Sequence, residues 1–143
     1  MRGRSSGARR RAVTVLAALF LFALLSTAYA ESGDIAEGYD ENTEITVSGT
    51  IVEASRPGMM RGPVVLKLRR HHRMYYVITA PPWFLNREGI PLTEGSLLEV
   101  KGSRLYGRDG KLYLIGRQLR DPVTGRIADL RDRRCMPLWK RQR

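Results

Sequence analysis

Cysteine is nearly absent from this chain. Cys135 is the single one, so no internal disulfide can hold the fold. Its thiol reads as a half-buried small hydrophobe or as a bridge to another chain. Histidine is almost as scarce, with His71 and His72 side by side between Arg70 and Arg73. Neither meets an orienting carboxylate there. No G-x-S-x-G elbow surrounds Ser48, Ser55, Ser96 or Ser103. A phosphate loop is missing, and so is a Cys–His pair in an obvious site. With the usual nucleophiles and bases missing, the residues predict no enzyme, no catalytic residue and no cofactor. Internal repeats and coiled-coil heptads are absent too, which excludes solenoids and long helical assemblies.

Acids are in deficit, 14 against 25 Lys and Arg in 143 residues, for a net charge of +11. The deficit is uneven. Six of the 14 acids lie between Glu31 and Glu44, where Lys and Arg are missing. Five basic residues fall among the first eleven positions. From Ile45 onward 20 basic residues therefore face 8 acids, and 20 minus 8 leaves +12. Such a surplus attracts anionic partners: an acidic protein, a polymer or a lipid headgroup.

Among the apolar stretches, Ala12 to Leu25 carries no charge. Arg2, Arg4 and Arg9-Arg10-Arg11 precede it, and Ala28-Tyr29-Ala30 follows as a small-x-small cleavage site. This is the three-part form of a secretory signal. Cleavage after Ala30 would give a periplasmic or secreted protein with no transmembrane span. The run approaches the ~17 residues of a membrane span, so a retained anchor is the rival reading. An ordinary n-region accounts for the arginine triplet without a twin-arginine signal.

The remaining chain reads as residues 31–42, a disordered acidic lead-in, then residues 43–130, one folded domain, then residues 131–143, a basic tail. The lead-in lacks the D-x-D-x-D-G pattern of a calcium loop. Thr43 to Ala54 alternates, with Ile45, Val47 and Ile51 on one side, and reads as a half-buried strand. Gly49 falls on the inward set, where a missing side chain permits a bulge or tight coiling. Strands are predicted at Val64–Arg69 and Met74–Thr79, joined by a tip at Arg70-His71-His72-Arg73. A short helix spans Trp83–Glu88 after Pro81-Pro82, with Phe84 or Leu85 in the core and Trp83 partly exposed. Strands follow at Leu97–Tyr106 and Lys111–Leu119, turned by Gly107-Arg108-Asp109-Gly110. Arg126–Leu130 folds back as a short extra strand.

Three strands, a helical connector and two strands is the order of the OB-fold, a five-stranded Greek-key barrel, β1-β2-β3-α-β4-β5. The prediction is all-β with one short helix and a C-terminal hairpin extension. An SH3-like barrel, which lacks the longer connector, is the runner-up. Four pieces in this order resemble small exported bacterial OB-fold proteins, nucleic-acid-binding-like and of poorly defined function. They are Val47-Ser48-Gly49-Thr50-Ile51-Val52, Pro82-Trp83-Phe84-Leu85, Gly95-Ser96-Leu97-Leu98-Glu99-Val100-Lys101-Gly102, and Leu130-Arg131-Asp132 with Pro137-Leu138-Trp139. The resemblance implies a periplasmic OB-like domain and carries over no catalytic residue. Ile78 and Thr79 stand where such proteins would carry a histidine, which removes a metal reading at that place.

OB-folds bind single strands by pairing basic grooves with aromatic platforms. The candidates here are Lys67, Arg69, Arg73, Lys101, Arg104, Lys111 and Arg117, with Tyr75, Tyr106 and Tyr113. Alternation lets only one of Tyr75 and Tyr76 face outward, and a tyrosine can equally cover the core with its hydroxyl wet. Trp83 and Trp139 are candidates for an apolar partner patch. Met59-Met60 and His71-His72 suit copper chemically, but about seven extended residues at ~3.3 Å each hold them over ~20 Å apart. No metal site is predicted. The favoured reading is an exported module that binds an acidic envelope protein or polyanion. Single-stranded nucleic acid and a Cu or Zn ion stay open as alternatives.

Overall fold

The computed structural model describes residues 38–55 and 62–140. The predicted signal segment, most of the predicted acidic lead-in and Met59-Met60 lie outside the described residues. Everything below concerns the unit Gly38–Arg143. Among the described residues no helix is long and apolar enough to cross a membrane.

The first strand sets the architecture. β1 (Glu44–Ser55) pairs antiparallel with β4 (Leu97–Tyr106) through Glu44–Thr50 and with β2 (Val65–Arg70) through Thr50–Ser55. One long strand thus serves both halves of the sheet, and its register slips between Ile51 and Glu53 in a bulge. β2 runs into β3 (Arg73–Ile78) through a two-residue turn at His71-His72. β5 (Leu112–Arg120) pairs antiparallel with β4 and, at Tyr113–Ile115, parallel with Tyr76–Ile78 of β3. That last pairing closes the ring β1-β2-β3-β5-β4, which is the predicted OB barrel. A sixth strand, β6 (Ile127–Asp129), pairs with β5 outside the ring. Predicted strand ends move by at most one residue, and Thr79 falls beyond β3. Its backbone N–H and its hydroxyl both donate to the Val64 carbonyl, at 2.9 and 2.7 Å.

Between β3 and β4, α1 (Pro82–Glu88) closes one end of the barrel. Proline is tolerated in a first turn because the lost N–H would be unpaired there anyway. Gly89 ends the helix at φ 67, and its N–H reaches the Leu85 carbonyl at 3.1 Å. The helix buries both Phe84 and Leu85 and leaves Trp83 45 % exposed. Around them every ring strand sends residues into the core: Val47 and Ile51, Leu66 and Leu68, Tyr75 and Val77, Leu98 and Val100, Leu114 and Leu119. Every ring strand and the helix that caps it lie within Gly38–Arg143, so this unit holds its own core.

Tyr39 to Asn42, expected in a disordered lead-in, are ordered. Asp40 caps a short 3-10 turn (Glu41–Thr43) by accepting from the Asn42 N–H at 2.9 Å. The Asp40 N–H donates to Ser103 Oγ at 3.0 Å, and Thr43 Oγ1 lies 2.9 Å from the same hydroxyl. A polar anchor on β4, which composition does not reveal, is the reason. The tail also folds back. Leu138 donates its N–H to the Leu130 carbonyl at 3.0 Å, and Arg131 bridges to Pro137.

Gly49 has a steric reason. A Cβ placed there would stand 2.6 Å from the Arg69 carbonyl oxygen, a backbone atom that cannot swing aside. Gly49→Ala is therefore expected to cost about 1–2 kcal/mol through backbone displacement, read as a lower urea midpoint. An unchanged midpoint would show that β2 yields freely at this crossing.

Candidate functional site

The ten predicted contact residues do not form one surface. A first group surrounds two tyrosines. Cross-strand pairing brings Tyr76 of β3 beside Tyr113 of β5, with ring centroids 5.5 Å apart. Lys111 Nζ sits 5.2 Å from the Tyr76 ring centre and pairs with Asp109 at 3.1 Å. Tyr113 donates its hydroxyl to Asp109 Oδ2 at 3.0 Å. Burial and that bond raise the Tyr113 pKa. Lys67 is held by Glu53 across β1 and β2, and this bond raises its pKa. Tyr75 belongs elsewhere. It is 6 % exposed, within the core cluster, so the outward place falls to Tyr76. Alternation along β3 is the reason, since Tyr75 shares the inward face with Val77.

A second group centres on Glu44. Its carboxylate accepts from Lys101 Nζ at 2.8 Å, Arg117 Nη1 at 2.8 Å and the Tyr39 hydroxyl at 2.6 Å. Burial works to raise its pKa, but the bonds from Lys101, Tyr39 and Arg117 prevail and lower it to about 2. Arg117 also meets Glu41 at 3.6 Å. Cys135 is free, and its thiol donates to Glu41 Oε1 at 2.9 Å. Burial first, then that bond, pushes the thiol up to about 11. A thiol so protonated is a poor nucleophile. Behind the group lies Arg131, 4 % exposed, with its guanidinium 5.3 Å from the Tyr39 ring centre and 5.8 Å from that of Trp139. Reading the sequence assigned no role to Glu44 or Tyr39. Glu44 was one more outward polar residue of an alternating strand, and only the β1–β4 register puts Lys101 within its reach.

Arg69, Arg73 and Arg104 differ from the other four cations. All three are exposed, and none forms an ion pair among the described residues. Arg69 and Arg73 stand near the β2–β3 turn, beside Arg70, His71 and His72. Arg104 lies on β4, opposite Leu114. Tyr106, at the end of β4, is 70 % exposed.

Trp83 and Trp139 are linked through Phe84. Both meet Phe84 edge-on, each with ring centroids 5.8 Å apart, so a buried ring joins an exposed indole to a half-buried one. Among the described residues, no three His, Cys, Asp or Glu side chains gather as metal ligands would.

Fold and surface together define a small OB-fold barrel with cationic patches on its outer side. The chain belongs to the MamS/MamX magnetosome protein family, whose sequence model matches residues 43–121, a little over half of the chain. The match begins one residue before β1 and ends one residue after β5. It therefore covers the closed ring and α1, and leaves out β6 and the tail. No curated protein matches the chain.

Proposed function

We propose that this protein is an exported, non-catalytic binding module that serves the magnetosome by holding an acidic protein or a polyanion. The family supports the setting. One observation carries the binding reading: Arg69, Arg73 and Arg104 are exposed and have no carboxylate partner among the described residues, whereas Lys67, Lys101, Lys111 and Arg117 are already paired. A paired surface cation has half-spent its attraction, and an unpaired one is free to meet an incoming anion. Within this reading the exposed Trp83 indole offers the same partner an apolar contact.

Heparin titration at about 50 and 200 mM salt tests the reading, since neutralised cations give binding a steep salt dependence. The triple change Arg69→Gln, Arg73→Gln and Arg104→Gln is expected to weaken binding roughly tenfold at the lower salt and flatten the salt slope. Lys67→Gln with Lys111→Gln should change it far less. Salt-insensitive binding, or equal losses in both variants, would discard the proposal.

A further inference from the structure

Beneath the β2–β3 turn lies a recess of about 330 Å³, lined by Arg70, His71, His72, Arg73 and Tyr75. Arg70 and Arg73 are the last pair of the β-ladder, facing each other across the turn. Both are exposed, as are the two histidines, and none of the four forms an ion pair among the described residues. Tyr75 is different, being 6 % exposed with its ring in the core. Its hydroxyl has no hydrogen-bond partner among the described residues. Yet no side-chain oxygen or nitrogen among the described residues is both buried and unpartnered. Solvent therefore reaches the hydroxyl, and Tyr75 lines this recess. A core residue thus ends in a free donor among four cationic or ionisable side chains. From Ala54 to Arg87 the chain contains no Asp or Glu, so no nearby stretch of sequence supplies an anion to fill the place.

We propose that this recess binds a phosphate group, with Arg70 and Arg73 gripping its oxygens from the two strands and the Tyr75 hydroxyl donating from the wall. Guanidinium groups match phosphate oxygens in paired hydrogen bonds. Phosphate fits the site better than carboxylate because its oxygens point in several directions, as these donors converge from several. The ring N–H groups of His71 and His72 add donors from the turn itself. The inference deepens the anion-binding reading above and rests on it only in requiring that the turn attract anions. It differs in placing a discrete, saturable site where that reading needs only a charged face.

The test uses Glu31–Arg143, which contains the whole ring and its core. Inorganic phosphate is titrated against the His71, His72 and Tyr75 ring signals in NMR, with chloride at matched ionic strength as the reference. Saturable shifts with phosphate alone are expected. Arg73→Gln should weaken binding about tenfold or more, and Tyr75→Phe roughly threefold to tenfold. Arg134→Gln, the same loss of charge on the distant tail, should leave it unchanged. Equal shifts with chloride, or equal weakening by Arg134→Gln, would overturn the site. Tyr75→Phe keeps the buried ring, and an unchanged melting temperature separates lost binding from lost fold. Vesicles of phosphatidylcholine, with and without phosphatidic acid, then distinguish the sources. Capture by the acidic vesicles that free phosphate reverses assigns a lipid headgroup, and saturation by phosphate with no capture assigns a soluble phosphate. Salt-sensitive heparin binding with no phosphate shifts would sink this site and leave the broader reading intact. Phosphate shifts without heparin binding would do the opposite.

Discussion

Phe84→Ala is expected to destabilise the barrel by about 3–5 kcal/mol, the range for a fully buried phenylalanine. Phe84 is 1 % exposed. Its ring meets Trp83 and Trp139 edge-on at 5.8 Å each, and the Arg87 guanidinium covers it at 4.7 Å. Aromatic pairs of this geometry add about 0.5–1.5 kcal/mol beyond the area they bury. The three rings also join two parts of the chain far apart in sequence, the cap helix and the tail. Removing the middle ring leaves a cavity and uncouples the tail from the helix at once. A domain of this size holds only about 5–15 kcal/mol in total, so the variant should be near unfolding at room temperature. Urea denaturation followed by tryptophan emission reads both effects, since the emitting indoles are the two that lose their neighbour. A loss below about 1 kcal/mol would mean that the end of the barrel collapses onto the gap and that the helix is no true plug.

Much of this was legible because it rests on local rules. Alternation in β1, the Asp109-Gly110 turn and Pro81-Pro82 before a helix each have one physical meaning, and together they gave the strand order of the barrel. The long connector with Phe84 separated the OB barrel from an SH3-like one. What failed to show was whatever depends on register. Alternation says that one of Tyr75 and Tyr76 faces outward, but choosing between them needs the strand's phase against the core. Val77 supplies it, standing two residues from Tyr75 on the buried side. Likewise, Lys101 and Arg117 read as free cations until pairing with β1 and β5 sets them around Glu44, which neither adjoins in sequence. A count of charges cannot distinguish a neutralised cation from an available one, and the unpaired arginines emerge only after the ion pairs are subtracted. The order of Tyr39 to Thr43 was hidden for the same reason, since its anchor, Ser103, is an ordinary strand serine until the two segments meet.

Glu44→Gln should remove the largest single pH-dependent contribution to stability among the described carboxylates. The Glu44 pKa falls from 4.5 to about 2 in the folded protein, against the opposing effect of burial, because Lys101, Tyr39 and Arg117 all donate to it. A carboxylate depressed by folding contributes stability that is complete above its unfolded pKa, near 4.5, and is lost as the pH falls toward 2. At ~1.4 kcal/mol per unit, the depression corresponds to about 3–4 kcal/mol at neutral pH. Its side chain is only 16 % exposed, so solvent screening removes little of this. The glutamine is nearly isosteric but carries no charge. It leaves Lys101 and the partly buried Arg117 with a neutral neighbour, and Tyr39 with a weaker acceptor. Urea midpoints of the two proteins should differ most above pH 5, draw together between pH 4.5 and 2, and meet near pH 2. Asp109 and Asp121, also depressed, titrate in both proteins and cancel in the difference. A gap that stays constant across the whole range would mean that Glu44 acts by packing alone. The paired cations around it would then be as available to an outside anion as Arg69 and Arg73.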